Sequence, residues 1–323
     1  MTICHELERI VEDSLTNGKK LLNQMNNTSE KYPVSDKRKA VWNVELQIMD
    51  EIDRICKKHD IKYFLAGGSM LGAARHNGFI PWDDDIDVGM LRPEYDRFIE
   101  ICKEELPPTC FLQTFDSDED FCFLQAKIRR SDTTAIQKKN WKSGLTFNQG
   151  IFVDVFPFDN IPNLVIPRVW HYAGVVFFER VLKRRYNYKG FDHHTLKGRI
   201  FKMMVDIIFA LRSPDKVYAS CENLLKKYSE KNTKFIGELT TIYRYKRSRR
   251  ERVLYDELID HQFEDRVYKI PKRYEEILNL AYGDWRTPKP QAPTLHGTTY
   301  FDPYNPYTDY LEGKRTVDFE RPL

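Results

Sequence analysis

Closely spaced cysteines are absent from this chain of 323 residues. Its six, Cys4, Cys56, Cys102, Cys110, Cys122 and Cys221, form no C-x-x-C pair. That excludes a disulfide-dense scaffold and the paired-cysteine type of zinc site. Reduced cysteines that serve packing in a cytoplasmic protein are the expectation. No run approaches the roughly 18 apolar residues that a membrane span needs. The opening stretch "MTICHELERIVEDSLTNGKK" has early acids and no apolar core of signal-peptide length, so neither secretion nor a membrane span is expected. A surplus of one charge sign is missing too, with 51 Lys and Arg against 48 Asp and Glu. Net charge therefore gives no support to a nucleic-acid partner. Repeats and low-complexity tracts are also lacking. With 41% hydrophobic and 31% charged residues, the chain reads as a folded soluble protein of one large domain or two modest ones.

What is present falls into three parts. Residues 1–35 are polar and read as a loosely attached helix and linker. Residues 36–160 alternate helix and strand. Val41, Val44, Ile48, Ile52 and Ile55 recur at helical spacing, and "IKYFLAGGS" reads as a buried strand entering a tight turn. "MLGAARHNG" is a short helix stopped by Gly78. "IDVGM" is a strand, "RPEYDRFIEICKEEL" a helix with Pro93 in its first turn, and "TCFLQTF" and "FCFLQAKIRR" are strands. "GIFVDVFPFD" is a further strand, expected to stop at Pro157. Residues 161–323 turn mostly helical, then offer a short strand, a helix near Pro271 and a surface-wrapping tail. The expected fold class is α+β, a mixed sheet with flanking helices, followed by a mostly helical C-terminal region.

Chemistry concentrates in "GFIPWDDDIDVGM". Four carboxylates, Asp83, Asp84, Asp85 and Asp87, stand among Ile80, Trp82, Ile86 and Val88. Buried charge is costly unless something cancels it. Side chains alternate along a strand, so Asp85 and Asp87 share a face while Ile86 and Val88 point into the core. Two such carboxylates suit one divalent cation, with waters and phosphate oxygens completing the shell. Asp154, flanked by Val153 and Val155, supplies a third acid if its strand lies beside "DIDV". It would bind metal or take a proton from an attacking hydroxyl. Asp83 and Asp84 fall before the strand, in solvent or in support of the site.

"AGGSMLGAAR" adds a phosphate side. Gly67 and Gly68 let backbone approach a ligand, Ser69 opens a helix, and helix N-termini attract phosphate. Arg75 and His76 follow two turns on, within reach of anionic groups or as a helix cap. Lys127 and Arg129 share a strand face, as pyrophosphate ligands or as an exposed edge. His193 and His194 read as surface residues.

The stretch "YFLAGGSMLGAARHNGFIPWDDDIDVGMLRPEYDRF" resembles the LicD family, the branch of the nucleotidyltransferase superfamily that also includes fukutin-type phosphotransferases. "VDVFPFD", "FEDRVYKIPKRYEEILNLAYGDW" and His296 in "TLHG" resemble later segments of that family. The resemblance implies a nucleotidyltransferase-like core over residues 36–160, with residues 161–323 completing the site and the acceptor surface. It implies Asp85, Asp87 and Asp154 as catalytic metal ligands, Mg²⁺ (or Mn²⁺) as cofactor, and Gly68 and Ser69 as the phosphate turn; Gly67, Arg75, His76 and Lys127 are the further candidates for nucleotide and phosphate. His296 would be a late contributor. The reaction implied is transfer of phosphocholine from CDP-choline, or of another CDP-alcohol's phosphate, to a sugar hydroxyl of a surface glycan such as lipopolysaccharide or teichoic acid, releasing CMP. The aromatic, basic helix "VWHYAGVVFFERVLKRRY" has the pattern of an interfacial helix and equally of a buried core helix, the commoner case; a lipid-linked acceptor, as the resemblance implies, fits peripheral contact with the cytoplasmic face of the membrane. Nucleotidyl transfer, D-x-D glycosyl transfer and a non-catalytic scaffold are the competing readings, separated by the nucleotide released.

Overall fold

Ser35 starts the first helix: its Oγ accepts the backbone N–H of Arg38 at 3.1 Å. The computed structural model describes residues 32–185, 196–240, 248–288 and 298–320; the polar segment 1–31 with Cys4, the pair His193–His194, and His296 lie outside them. Helix α1 (Asp36–Lys58) buries Val41, Val44, Ile48, Ile52 and Ile55, the helically spaced set, against the sheet. There follow β1 (Phe64–Leu65), α2 (Gly67–His76), β2 (Ile86–Leu91), α3 (Arg92–Glu105), β3 (Cys110–Gln113), β4 (Ala126–Arg130), β5 (Thr134–Gln137), α4 (Lys138–Lys142) and β6 (Ile151–Ile161). Then come helices α5 (Val165–Arg185), α6 (Leu196–Leu211) and α7 (Pro214–Lys226), and strands β7 (Phe235–Glu238) and β8 (Arg250–Glu251). A hairpin of β9 (Leu258–Phe263) and β10 (Arg266–Pro271), helix α8 (Tyr274–Tyr282), β11 (Thr299–Asp302) and α9 (Tyr307–Leu311) complete the order.

The main sheet runs β1-β2-β6-β4-β3, with β2 and β6 parallel and the other pairs antiparallel. This mixed sheet with flanking helices is the expected α+β architecture. "FCFLQAKIRR" yields a strand only from Ala126; Phe121, Cys122 and Leu124 are buried in irregular chain before it. The C-terminal tail pairs as well as wraps, because β11 lies antiparallel to β5.

The expected stop at Pro157 does not occur: β6 passes through it to Ile161. The reason is the change of neighbour. β4 pairs with β6 only as far as Val155, and β7 begins pairing at Phe158. Pro157 falls in the gap between them, beside Met90 of β2 alone, where its missing N–H costs little. A single long strand thereby joins the half of the sheet under α1 to β7 and to the apolar cluster of α5 and α7, where Ile161 packs with Val181, Leu182 and Cys221.

A buried ion pair fastens this junction. Arg92, which follows β2 directly, is 1% exposed and bonds Asp159 of β6 in two places, Nε to Oδ1 at 2.6 Å and Nη2 to Oδ2 at 2.9 Å. The Asp159→Asn substitution removes the fully buried partner of Arg92, leaves it only the longer contacts to Asp96 and Glu222 at 3.5 Å, and should cost about 3 kcal/mol of unfolding free energy. Denaturant titration measures it; a loss below about 1 kcal/mol, the scale of a surface pair, would show that this contact does not hold the junction.

Candidate active site

Strand register brings the chemistry together. Asp87 of β2 is directly opposite Asp154 of β6, and Asp154 is directly opposite Lys127 of β4. The three therefore project from one face in a row across adjacent strands. Ile86, Val88, Val153 and Val155, which alternate with the acids, are fully buried on the other face. Asp85 precedes β2 by one residue and joins them: carboxylate oxygens of Asp85, Asp87 and Asp154 all lie within 4.8 Å of one another. A second trio, Asp83, Asp84 and Asp85, meets the same spacing. The Asp83 carbonyl accepts from Arg38 Nη1 at 2.8 Å and Trp42 Nε1 at 3.1 Å, so α1 pins the turn that leads into the acids.

Lys127 bridges both Asp154 oxygens at 2.6 Å each, and its Nζ lies 3.6 Å from the centre of the Phe152 ring. It belongs to the acid row rather than to an exposed edge, as β4 is covered by β6 on one side and β3 on the other. Arg129, one turn of the pleat away, donates to Gln113 Oε1 at 2.5 Å and to the Gly150 carbonyl at 2.6 Å. Arg129 thus holds the sheet together.

The glycines make room for carboxylates. Gly67 has φ +48°, and a Cβ there would lie 2.7 Å from Asp87 Oδ2; a Cβ on Gly68 would lie 2.8 Å from Asp83 Oδ2. Helix α2 starts at Gly67, two residues before Ser69. Its positive end faces the acids and favours their charge. The buried Ser69 Oγ accepts the Asp87 N–H at 2.8 Å, and the Asp87 carbonyl accepts the Ala66 N–H at 2.9 Å, so this turn clamps the backbone of the central acid. Arg75 and His76 sit about 13 Å along the helix axis from Gly67. Arg75 donates to His76 Nε2 at 2.9 Å and to the Trp285 carbonyl at 2.8 Å, and burial followed by the Arg75 charge pushes the His76 imidazole down to about 4. This pair ties α2 to the segment after α8.

Two acids escaped the sequence reading. Glu45 of α1 is 1% exposed, its Oε2 has no hydrogen-bond partner among the described residues, and burial, then Asp84 and Asp83, push its carboxyl far above the usual range. The signal was there: Glu45 stands four residues after Val41 and three before Ile48, inside the apolar stripe. Glu238 at the end of β7 is a charge neighbour of Asp87. Burial is the main force raising the carboxyls of Asp85 and Asp87 well above the usual aspartate range; Asp87 adds most for Asp85, and Asp154 most for Asp87. Buried oxygens held this close, with one lysine among them, fit a hard divalent cation, whose charge offsets the repulsion.

Residues 60–195 match the LicD/FKTN/FKRP nucleotidyltransferase domain family. Over 252 residues, 76% of this chain and 90% of the relative, the chain is 29% identical to the lipopolysaccharide cholinephosphotransferase LicD of Haemophilus influenzae. It is 35% identical over 72 residues, 22% of either chain, to an uncharacterized protein of Rickettsia typhi. It is 60% identical over 30 residues, 9% of this chain and 6% of the relative, to the human ribitol 5-phosphate transferase FKRP. The matched domain contains the whole acid row and Lys127.

The raised carboxyls set a sign for pH dependence. The folded state keeps protons on Asp85 and Asp87 that the unfolded chain releases near pH ~4. In the presence of a chelator, stability should therefore fall as pH rises from there toward neutrality. Mg²⁺ should remove that loss, and Asp87→Asn should shrink it. Urea midpoints across the pH range check this, and a midpoint that rises with pH in chelator contradicts it. Gly67→Ala should cost about 1–2 kcal/mol from its left-handed backbone alone and should weaken Mg²⁺ stabilisation through the Asp87 clash; wild-type response to Mg²⁺ would contradict that geometry.

Proposed function

We propose, from the match of residues 60–195 to the LicD/FKTN/FKRP family and the similarity to a cholinephosphotransferase, that this chain is a phosphotransferase that moves phosphocholine from CDP-choline to a sugar hydroxyl of a glycan and releases CMP. Its homology to a lipopolysaccharide cholinephosphotransferase implies transfer of phosphocholine or a related phosphoalcohol. The choice of CDP as carrier, of Mg²⁺ and of a lipid-linked acceptor is our reading. The observation that carries it is the row Asp87–Asp154–Lys127, with Asp85 beside it, inside the matched domain.

Asp85, Asp87 and Asp154 would hold Mg²⁺. A bound Mg²⁺ supplies charge neutralisation to the donor's pyrophosphate and to the departing CMP. The start of α2, at Gly67 and Gly68, offers backbone N–H groups to a phosphate oxygen. Lys127 carries the positive charge of the row and would divide it between Asp154 and the donor. The acceptor oxygen attacks the phosphorus that bears choline, the bond from that phosphorus to the CMP oxygen breaks, and the hydroxyl proton passes to a carboxylate of the row, for which we assign Asp154. The Asp83 turn, held by Arg38 and Trp42, leads the chain into these acids. Residues 36–160 would form the catalytic core and 161–323 the remainder of the site, a division supported by the influence of Glu238 on Asp87. A CDP-linked donor favours a cytoplasmic location; among the described residues no helix is long and apolar enough to cross a membrane.

Incubation with CDP-choline, a lipopolysaccharide-type acceptor and Mg²⁺ should yield CMP and choline-bearing glycan, and neither in chelator. Asp87→Asn should lower the rate by roughly a hundredfold or more with the fold retained. Release of pyrophosphate would indicate nucleotidyl transfer, and release of a nucleoside diphosphate glycosyl transfer. Either result would replace this reading.

A further inference from the structure

Exposed apolar side chains are unevenly spread over the molecule. Ten of the seventeen large exposed ones among the described residues fall on α6 and around the start of α5. On α6, Ile200, Met203, Met204, Ile207 and Leu211 recur at intervals of three and four and are 36–78% exposed. They form one stripe along the helix. The opposite face carries Val205, 2% exposed, and Ile208, which pack into the cluster with α5 and α7. Helix α6 is therefore apolar on two sides, and among the described residues only one of them has protein packed against it. Near the start of α5, which packs on α6, Val165, Ile166, Val169 and Trp170 are 57–75% exposed.

The charge around this face is mostly positive, although the exposed Asp206 pairs with Lys202 and Asp215 is exposed beside Lys216. Residues 164–216 hold eleven Lys and Arg against four Asp and Glu, a surplus of seven in a chain whose whole surplus is three. The rest of the protein is accordingly acidic on balance. Arg199, Lys202, Arg212 and Lys216 are exposed alongside the α6 stripe. A helix with an apolar stripe margined by cations, and a tryptophan close by, matches the interface of an anionic bilayer. A second copy of the chain fits less well, since docking face to face would bring like charges together.

We infer that α6 and the start of α5 form a docking surface for an anionic lipid bilayer, lying in its headgroup layer without crossing it. The surface also has a link to the acid row. About 20 Å further along α5 from Trp170 stands Lys183, paired with buried Glu179 at 2.6 Å. The charge neighbours of Lys183 include Glu238, the residue that acts on Asp87. The inference stands on exposure and charge and does not depend on which donor is used.

The test is vesicle flotation of the full chain, with phosphatidylcholine vesicles and with vesicles that also contain phosphatidylglycerol. Wild type should float with the anionic vesicles and roughly tenfold less with phosphatidylcholine alone. Met203→Ser with Ile207→Ser should reduce flotation by roughly tenfold or more, as should Trp170→Ser, with melting temperatures unchanged because these side chains are exposed. Leu280→Ser, exposed on α8 away from this face, should float as wild type does. The inference is overturned if wild type stays behind with anionic vesicles, if the two kinds of vesicle bind alike, or if the α6 variant floats unchanged. It is also overturned if sedimentation shows a dimer that the α6 substitutions dissociate, which would assign the face to a second copy.

Discussion

Carboxylates crowded on one face of an apolar sheet repel one another, and much of this molecule is arranged around that repulsion. Asp85, Asp87 and Asp154 share a space of a few ångströms with little water around them. Each would be costly alone. The chain offsets the cost with Lys127 on both oxygens of Asp154, with the positive end of α2, and with the Ser69 and Ala66 contacts to the backbone of Asp87. What is left over is carried as raised proton affinity on Asp85, Asp87 and Glu45. A cation among Asp85, Asp87 and Asp154 would offset the repulsion among those three carboxylates.

The fold serves this arrangement through β6. Because β2 is parallel to it and β4 antiparallel, the acid row requires no loop: register alone sets it. Sites built on strands of one sheet are more rigid than sites built on loops. Extending β6 past Pro157 connects the row to β7, where Glu238 stands, and to the helices of the C-terminal half. Arg92 and Asp159 keep β2 and β6 aligned just beyond the acids, where a slip of one residue would turn Asp87 and Asp154 to opposite faces.

Much of this was legible in the residues. Alternation placed Asp85 and Asp87 together, the apolar flanks marked Asp154 as costly, and the double glycine marked a close approach. The approaching group turned out to be a carboxylate as well as any ligand, since composition cannot tell which atom fills the space over a glycine. Lys127 was weighed only as a pyrophosphate ligand or an edge; its bond to Asp154 depends on the register of strands 27 residues apart. Glu45 lies between apolar positions of α1, and helical spacing alone does not show that Asp83 and Asp84 come to face it. Pro157 reads as a stop in sequence because its tolerance depends on where two other strands end. Arg75 and His76 read as anion-binding residues or as a helix cap, and the sequence shows no sign of the contacts they make with each other and with Trp285, more than two hundred residues on. Local pattern is visible in a sequence, while partners supplied by tertiary register are not.

The central claim is that the three acids act as one cation site beside the donor phosphate. Crystals grown with Mn²⁺ and CDP-choline test it through anomalous scattering from the metal. The account predicts a peak about 2.1 Å from oxygens of Asp85 and Asp87, with Asp154 lining the same site and the pyrophosphate reaching the cation. A donor bound with its cation away from these carboxylates, or with no cation at all, would contradict it.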